Sequence, residues 1–507
     1  MALSALPIFS ARLPPIFDYP NHLARMHVLF SGGARFYAVA WAPLPNLAED
    51  LVVPALGHLI PLALAAKLFL VATFALLAGG ALLLGRAQSG EWRFWPLLAF
   101  FLLYSRIFLW GFLNYLFGLG LALCAAAFWL LFEKRRPSER IALSLLFALA
   151  IYFSHIAAFG VYALLIFGIE LVPAWRELMA REASLLARRL LVAGAQFIAP
   201  IALFLYWFHG AAGAVRYTPF WRKADLLFTV FDNYNRPFDI ACFVLFLGLL
   251  LWLAVKGRLG LSPRLRAAAA ILFAAYLALP SGIAGGSGLD HRLVPAFFLF
   301  LVGASAPSFP SRRAAVAVGA GVVLLFALRL AAIERLWLAS NRVYGPALEA
   351  IDRLPREQNL ALAYPGGAVN FVPIPEFHLA TLAIARRDDF VPSLFANPAQ
   401  QPVALTAEGA RLAALAPAGL LWSAFVERNR VPRAPLSAAL SHYDFLVFVD
   451  RRAFRVPPSP CLSPFFRERR FQIFAVRPRC PLRRPAKRAP GENVLPPPVR
   501  HVRGIRP

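Results

Sequence analysis

Charge is scarce in this chain, and acidic charge most of all. Only 15% of its 507 residues are charged, with 26 Asp and Glu against 52 Lys and Arg. Soluble globular domains carry nearer ~25% charged residues. A hydrophobic share of 60% and a mean hydropathy of +0.62 exclude that class here. The net charge of +26 does not point to nucleic acid. The basic residues sit in short loops between apolar runs and in a tail, with no RNA- or DNA-binding motif around them. Cysteine is scarce too: Cys124 and Cys242 lie inside apolar runs, Cys461 and Cys480 near the C-terminus. There is neither a CxxC nor a Cys/His zinc spacing. HExxH, GxSxG, Walker A and Rossmann fingerprints are also missing, which argues against those metalloprotease, hydrolase, ATPase and dehydrogenase classes.

What the chain does have is a series of apolar runs near the ~20 residues that cross a bilayer. They are Leu62–Leu84, Phe94–Phe132, Ile141–Leu171, Leu190–Phe208, Ile240–Val255, Ala267–Ile283, Leu293–Ala306 and Ala314–Ile333. The second is long enough for two short helices turning near Ser105-Arg106, and the third for a tight hairpin. The fold class expected is an α-helical polytopic membrane protein of about ten transmembrane or re-entrant helices, with a C-terminal α/β soluble domain.

Short basic loops stay cytoplasmic. Glu133–Arg140, Trp175–Arg189, Lys256–Arg266 and Arg312-Arg313 are such loops, and they agree only if Arg86–Arg93 is inside as well. The outer face then receives Phe17–Ile60, Ser105–Gly111, the tip near His155, Gly210–Asp239, Gly285–Arg292 and everything after about Leu336. Four divisions follow: 1–61, an N-terminal remnant and first outer loop; 62–335, the membrane domain; 336–480, the outer α/β domain; and 481–507, a disordered basic, proline-rich tail. Met1–Leu13 is too short to deliver the first loop across a membrane, so a truncated first helix is expected. In an oxidising compartment a Cys461–Cys480 disulfide is permitted. Within the outer domain, Asn341–Leu354 reads as a helix, and Asn359–Tyr364, Phe445–Asp450 and Phe471–Val476 as strands.

The first loop opens on Phe17-Asp18-Tyr19-Pro20-Asn21-His22. A helix starting at Tyr19 puts Pro20 in its first turn, Asp18 at the N-cap and His22 about one turn in. Asp18 reads as a cap or as a reacting carboxylate. Asn114 shares a helix face with Gly111 and Gly118, as a close helix contact or a binding residue. His155 interrupts an apolar hairpin, where ionisable groups are functional hypotheses by default. Asp290-His291-Arg292 stands before a span, either as an ion pair at the helix entrance or as an anion site, with Asp290 holding an Arg292 that grips phosphate. Tyr217–Lys223 reads as an interfacial anchor. His378, Asp388-Asp389 and the pair Glu49-Asp50 read as solvated surface.

This arrangement resembles the GT-C class of membrane glycosyltransferases, polytopic enzymes with an acidic residue in the first large outer loop and commonly a C-terminal domain on the same side. Asp18 in Asp-Tyr-Pro-Asn-His matches that acidic position, and Tyr19–Phe30 and Leu47–Leu59 match the loop's amphipathic helices. Asp18 stands alone where the family often has a carboxylate pair, and no long motif is shared. The resemblance implies transfer of a sugar from a polyprenyl-phosphate donor to a glycan, lipid or protein acceptor, at a bacterial inner membrane with the C-terminal domain periplasmic. Asp18 would be the general base and His22 its neighbour, with Arg292 and Arg106 on the phosphate. Asp290, His291, His155 and Asn114 would complete substrate binding. No metal ligands are identified, and a divalent cation as cofactor stays open beside a metal-independent reaction. The rival readings are a transporter or lipid flippase, for which repeated halves are expected and none is seen, and a non-catalytic envelope protein.

Overall fold

A computed structural model of the chain describes residues 1–207, 214–283, 286–365, 375–415, 417–427, 436 and 440–477. The expected tail 481–507 and Cys480 lie outside the described residues, and Cys461 is disulfide-bonded. Fourteen helices lead from the N-terminus to the C-terminal region. They are α1 (Ala2–Ser10), α2 (Tyr19–Ser31), α3 (Ala48–Gly57), α4 (Leu62–Ser89), α5 (Arg106–Trp110), α6 (Leu113–Leu131), α7 (Pro137–Ser154), α8 (Ile156–Met179), α9 (Ala183–Trp207), α10 (Phe220–Leu227), α11 (Arg236–Val255), α12 (Pro263–Ala278), α13 (Leu289–Ala304) and α14 (Arg312–Asp352). Among the described residues seven are long and apolar enough to cross a membrane: α4, α6, α7, α8, α9, α11 and α14.

Small residues bring the central helices together, as the weak driving force between apolar helices requires. A Cβ on Gly80 of α4 would meet Leu123 at 2.6 Å, and one on Gly120 of α6 would meet Leu76 at 2.5 Å. The expected hairpin forms as α7 and α8, broken at His155. The run Phe94–Phe132 differs from expectation. It is a 3-10 helix (Trp95–Leu102), the short α5 and the full-length α6, with the expected break at Ser105, whose backbone is extended, and a second, sharp turn at Gly111.

The basic loops meet at one end of the bundle. Arg264 pairs with Glu133 (2.8 Å) and Glu170 (3.0 Å), and Arg189 with Glu177 (2.6 Å) and Glu170. Gln88 donates to Gly260 O at 3.2 Å, and Trp95 Nε1 to Ser305 at 2.8 Å. Helix α6 runs from Trp129, which donates to Glu170 at this end, to Asn114, which holds the start of α3 at the other. Those 15 residues rise about 22 Å.

Helix α14 is one element of 41 residues, about 60 Å long. The helix expected at Asn341–Leu354 is simply its last part. The strands in chain order are β1 (Tyr37–Val39), β2 (Gly282–Ile283), β3 (Gly286–Ser287), β4 (Leu360–Ala363), β5 (Val403–Leu405), β6 (Phe445–Val449), β7 (Leu462–Arg467) and β8 (Phe471–Val476). Beyond α14 stands a four-stranded sheet in the order β4-β6-β8-β7, with β4 parallel to β6. Strands β8 (Phe471–Val476) and β7 (Leu462–Arg467) complete it in antiparallel register. The continuous apolar β4 and β6 are buried along their whole length, as strands covered on both faces must be. The first loop joins this region through β1 (Tyr37–Val39), which pairs antiparallel with β5 (Val403–Leu405). The Tyr37 hydroxyl seals the joint by donating to Val391 O at 2.8 Å. Between β4 and β5, a 3-10 helix, Pro375–Thr381, faces α2.

Candidate functional site

Asp18 is set by the chain on both sides of it. The Phe17 amide donates to Leu109 O at 2.8 Å, and Pro20 occupies the first turn of α2, where no N–H is needed. Asp18 is the N-cap residue, yet its φ of −87° and ψ of −4° are helical, and its side chain makes no cap hydrogen bond. A capping carboxylate reaches the next amides from extended backbone. The Asp18 carboxylate is therefore not consumed by the helix. Its side chain is 15% exposed, and its one polar partner among the described residues is His378, with Nε2 at 3.4 Å from Oδ1.

Gly111 makes the seat. Its φ is +98°, and a Cβ there would stand 2.7 Å from the Asp18 Cβ. Both the left-handed backbone and the close approach exclude a side chain. Gly111→Ala is expected to destabilise the protein by about 1–3 kcal/mol, visible as a lowered thermal midpoint in detergent. An unchanged midpoint would show that Asp18 yields freely.

His22 does not join Asp18. It is buried, with Nδ1 in a short contact with Glu49 Oε2. Glu49 and Asp50, expected at the surface, are 0% and 1% exposed. Arg25 binds Asp50 through Nε at 2.6 Å, and its Nη2 lies 3.5 Å from both Glu49 and Asp50. Burial works to raise the Glu49 carboxyl, but the charge and hydrogen bond of His22, with Arg25, outweigh it and hold Glu49 below the ordinary carboxylate range. For Asp50 burial, with Glu49 beside it, outweighs Arg25 and the net shift is upward. Asn114 serves the same cluster: Oδ1 accepts from the Glu49 amide at 2.7 Å and Nδ2 donates to Asn46 O at 2.9 Å. Asn114 and His22 are thus props beneath α2, not groups open to a substrate.

Two of the other candidates touch the residues that flank Gly111. The Arg292 guanidinium stacks 4.5 Å above the Phe112 ring, and the His291 ring is 5.3 Å from Trp110. Arg292 Nη1 donates to Ser287 O at 2.8 Å, and its buried Nε finds no acceptor. No carboxylate pairs with Arg292 among the described residues. The expected Asp290–Arg292 pair is absent because Asp290 turns the other way, accepting from the His291 amide at 3.0 Å and facing Lys223 at 3.7 Å. Lys223 points inward and donates to Tyr276 O and Leu279 O, while its neighbours Phe220 and Trp221 are exposed, as an interfacial anchor requires. Arg106, expected on the phosphate, is instead paired with Asp232. His155 caps α8, its Nδ1 accepting from the Ala157 amide at 2.9 Å, and its ring meets Tyr115 edge-on. The Tyr115 hydroxyl in turn donates to Arg292 O.

Two of the residues taken as surface, His378 and Asp389, are buried, whereas Asp388 stays partly exposed. His378 is 4% exposed and faces Asp18. Asp389 is fully buried, accepts from the Gln358 amide at 2.8 Å, and burial pushes its carboxyl up to about 7. Asp388 joins ion pairs with His27 and Arg356. No spacing in the chain could reveal the His378 contact, which comes from folding the C-terminal region onto α2. Among the described residues no group of three or more His, Cys, Asp or Glu is placed to hold a metal ion.

The site therefore offers a half-buried, uncapped carboxylate against Gly111 and, on the ring of the next residue, Phe112, a guanidinium with no carboxylate partner among the described residues. A carboxylate of this kind can take a proton, and a guanidinium of this kind can bind an anion. Comparison of the chain with protein-family models, curated proteins and solved structures found no match in any of the three.

Proposed function

We propose that the chain is a membrane glycosyltransferase of GT-C type, moving a sugar from a polyprenyl-phosphate donor to an acceptor hydroxyl outside the cytoplasm. The reading is supported by an uncapped Asp18 seated against Gly111 and an Arg292 stacked on the adjacent Phe112 with no carboxylate partner among the described residues. Asp18 takes the proton of the acceptor hydroxyl as its oxygen attacks the sugar C1. The bond from C1 to the phosphate oxygen breaks with inversion, and its electron pair leaves on the phosphate. Arg292 stabilises that charge, and His291, whose buried Nδ1 has no hydrogen-bond partner, stands beside it. Arg106 drops out of this role because Asp232 already neutralises it.

The test is transfer from defined polyprenyl-monophosphate sugars in vesicles containing the purified protein. Arg292→Gln is expected to lower kcat by about 10²–10³-fold, the usual loss when one charge-stabilising donor is removed. Failure of the wild-type protein to transfer from any such donor would overturn the reading. Transfer by Arg292→Gln at the wild-type rate would remove Arg292 from it.

The proposed topology has its own measurement. Positive loops stay inside, so a cysteine replacing the exposed Gln400 should react with an impermeant thiol reagent added outside intact cells, and one replacing the exposed Lys256 should not. The opposite labelling pattern would invert the orientation and sink the reading with it.

A further inference from the structure

We infer that His378, supplied by the C-terminal region, is the positioning residue of the Asp18 carboxylate, and that Asn21 sets the proton on its ring. This rests on the reading of Asp18 as the general base and goes beyond it by naming what holds that base.

The imidazole is enclosed by rings. Phe17, Phe377 and Phe395 stand 4.9, 5.0 and 5.5 Å from it, each roughly edge to face. A polar ring so placed needs partners for both nitrogens. Nδ1 has a hydrogen-bond partner in Asn21, and Nε2 faces a carboxylate at ion-pair distance. Nδ1 lies 3.4 Å from Asn21 Nδ2, and Nε2 lies 3.4 Å from Asp18 Oδ1.

The Asn21 amide cannot be turned over. Its Oδ1 accepts from the Phe395 amide at 3.0 Å, and its Nδ2 donates to Ser393 O at 2.6 Å. A backbone N–H and a backbone carbonyl thus decide which end is oxygen, as an amide assigned from its hydrogen-bond network should be. Asn21 therefore presents a donor to His378 Nδ1, which must carry the lone pair. The ring proton then resides on Nε2, the nitrogen that faces the Asp18 carboxylate at 3.4 Å.

This tautomer fixes the role. An Nε2–H cannot accept the proton that Asp18 collects, so His378 is not a relay. It stands 3.4 Å from Oδ1, so in this inference it orients the carboxylate from that side and leaves Oδ2 as the atom offered to an acceptor hydroxyl. It also makes the reacting carboxylate depend on a residue 357 positions from Asn21 in the chain, so the C-terminal region completes the site rather than merely adjoining it.

The experiment has two arms on the full-length protein in detergent. In the first, protein labelled with ¹⁵N-histidine is compared with H378Q to assign the ring and with Asp18→Asn to perturb it. Expected is a neutral His378 with protonated Nε2 and bare Nδ1, whose Nε2 resonance moves in Asp18→Asn. The other tautomer, or a resonance indifferent to Asp18→Asn, overturns the inference even if transfer is found. In the second arm, transfer from polyprenyl-monophosphate sugars is measured. H378F keeps the ring's shape and loses the donor; it should lower kcat about 10–100-fold with KM for the donor unchanged. H378Q, which restores an N–H donor, should recover most of that loss. Equal loss in H378F and H378Q would make the role structural and overturn the inference. A correct tautomer in a protein that transfers no sugar would instead overturn the transferase reading alone.

Discussion

Asp18→Asn is expected to reduce sugar transfer by about 10²–10⁴-fold, the range typical for removal of a general acid or base, while leaving the fold intact. Both halves of that expectation come from the same geometry. The Asp18 side chain makes no cap hydrogen bond, so α2 loses nothing when its charge goes. Asn is nearly isosteric and removes no hydrogen bond on which α2 depends, so the seat against Gly111 is kept. What is lost is the ability to take a proton. The thermal midpoint should therefore stay close to that of the wild-type protein, within the ~0.5 kcal/mol usual for substitutions that break no packed feature. Asp18→Glu should not substitute well, because one added methylene has to fit between Gly111 and His378. Transfer by Asp18→Asn at near the wild-type rate would show that the base lies elsewhere.

Arg25→Ala is expected to do the reverse, collapsing stability by about 3–5 kcal/mol, the cost of leaving buried partners of a broken ion pair uncompensated. Arg25 is 1% exposed, and it faces both Glu49 and Asp50. Without it, two adjacent carboxylates remain at the joint of α2, α3 and α6, and among the described residues His22 is the basic side chain left in contact with them. Lysine is not a substitute, because the bond to Asp50 uses Nε while Nη2 reaches Glu49, a fork that an ammonium cannot reproduce. The measurement is unfolding of the detergent-solubilised protein. If Asp50→Asn is added to Arg25→Ala, part of the loss should return, since the buried charge left behind is the source of the cost. Additive losses in the double variant would refute that cause.

These two substitutions separate what α2 does from what holds it. The sequence shows both groups within eight residues, Asp18 and Arg25, but not which is spent on structure. Asp18 has the residue type and position of a helix cap, and capping is what such a residue ordinarily does. Only the backbone angles at Asp18, set by the Phe17–Leu109 hydrogen bond and the close approach of Gly111, take the carboxylate off the helix. Glu49-Asp50 shows the opposite error. Two acids at the start of an amphipathic helix read as solvated, and they are buried because Arg25 and His22 arrive from a different helix to neutralise them.

Several elements were legible because a local cause decides them. Hydropathy alone places α4 from Leu62, and the break at His155 divides α7 from α8 where a polar residue interrupts an apolar run. Apolar, β-branched and aromatic runs mark β6 and β8. The grouping of the basic loops at one end was also readable, since loops that follow successive spans must alternate between ends. The extent of α14 was not. Nothing polar in Glu334–Asn341 stops a helix that packing continues to support, so the expected break between span and outer helix does not occur.

By itself the sequence determined the class of chain, its apolar helices and the polar segments between them, because transfer of side chains from water and helix or strand periodicity are properties of neighbours along the chain. It also singled out Asp18 and Arg292 as candidates. The tertiary structure decided which candidates are free. It tied His22 to Glu49, Arg106 to Asp232 and Asp290 toward Lys223, left Arg292 without an acid, and brought His378 to Asp18. Burial and charge compensation are sums over groups distant in sequence, so the carboxylate that remains available could be identified only after the C-terminal region had closed on α2.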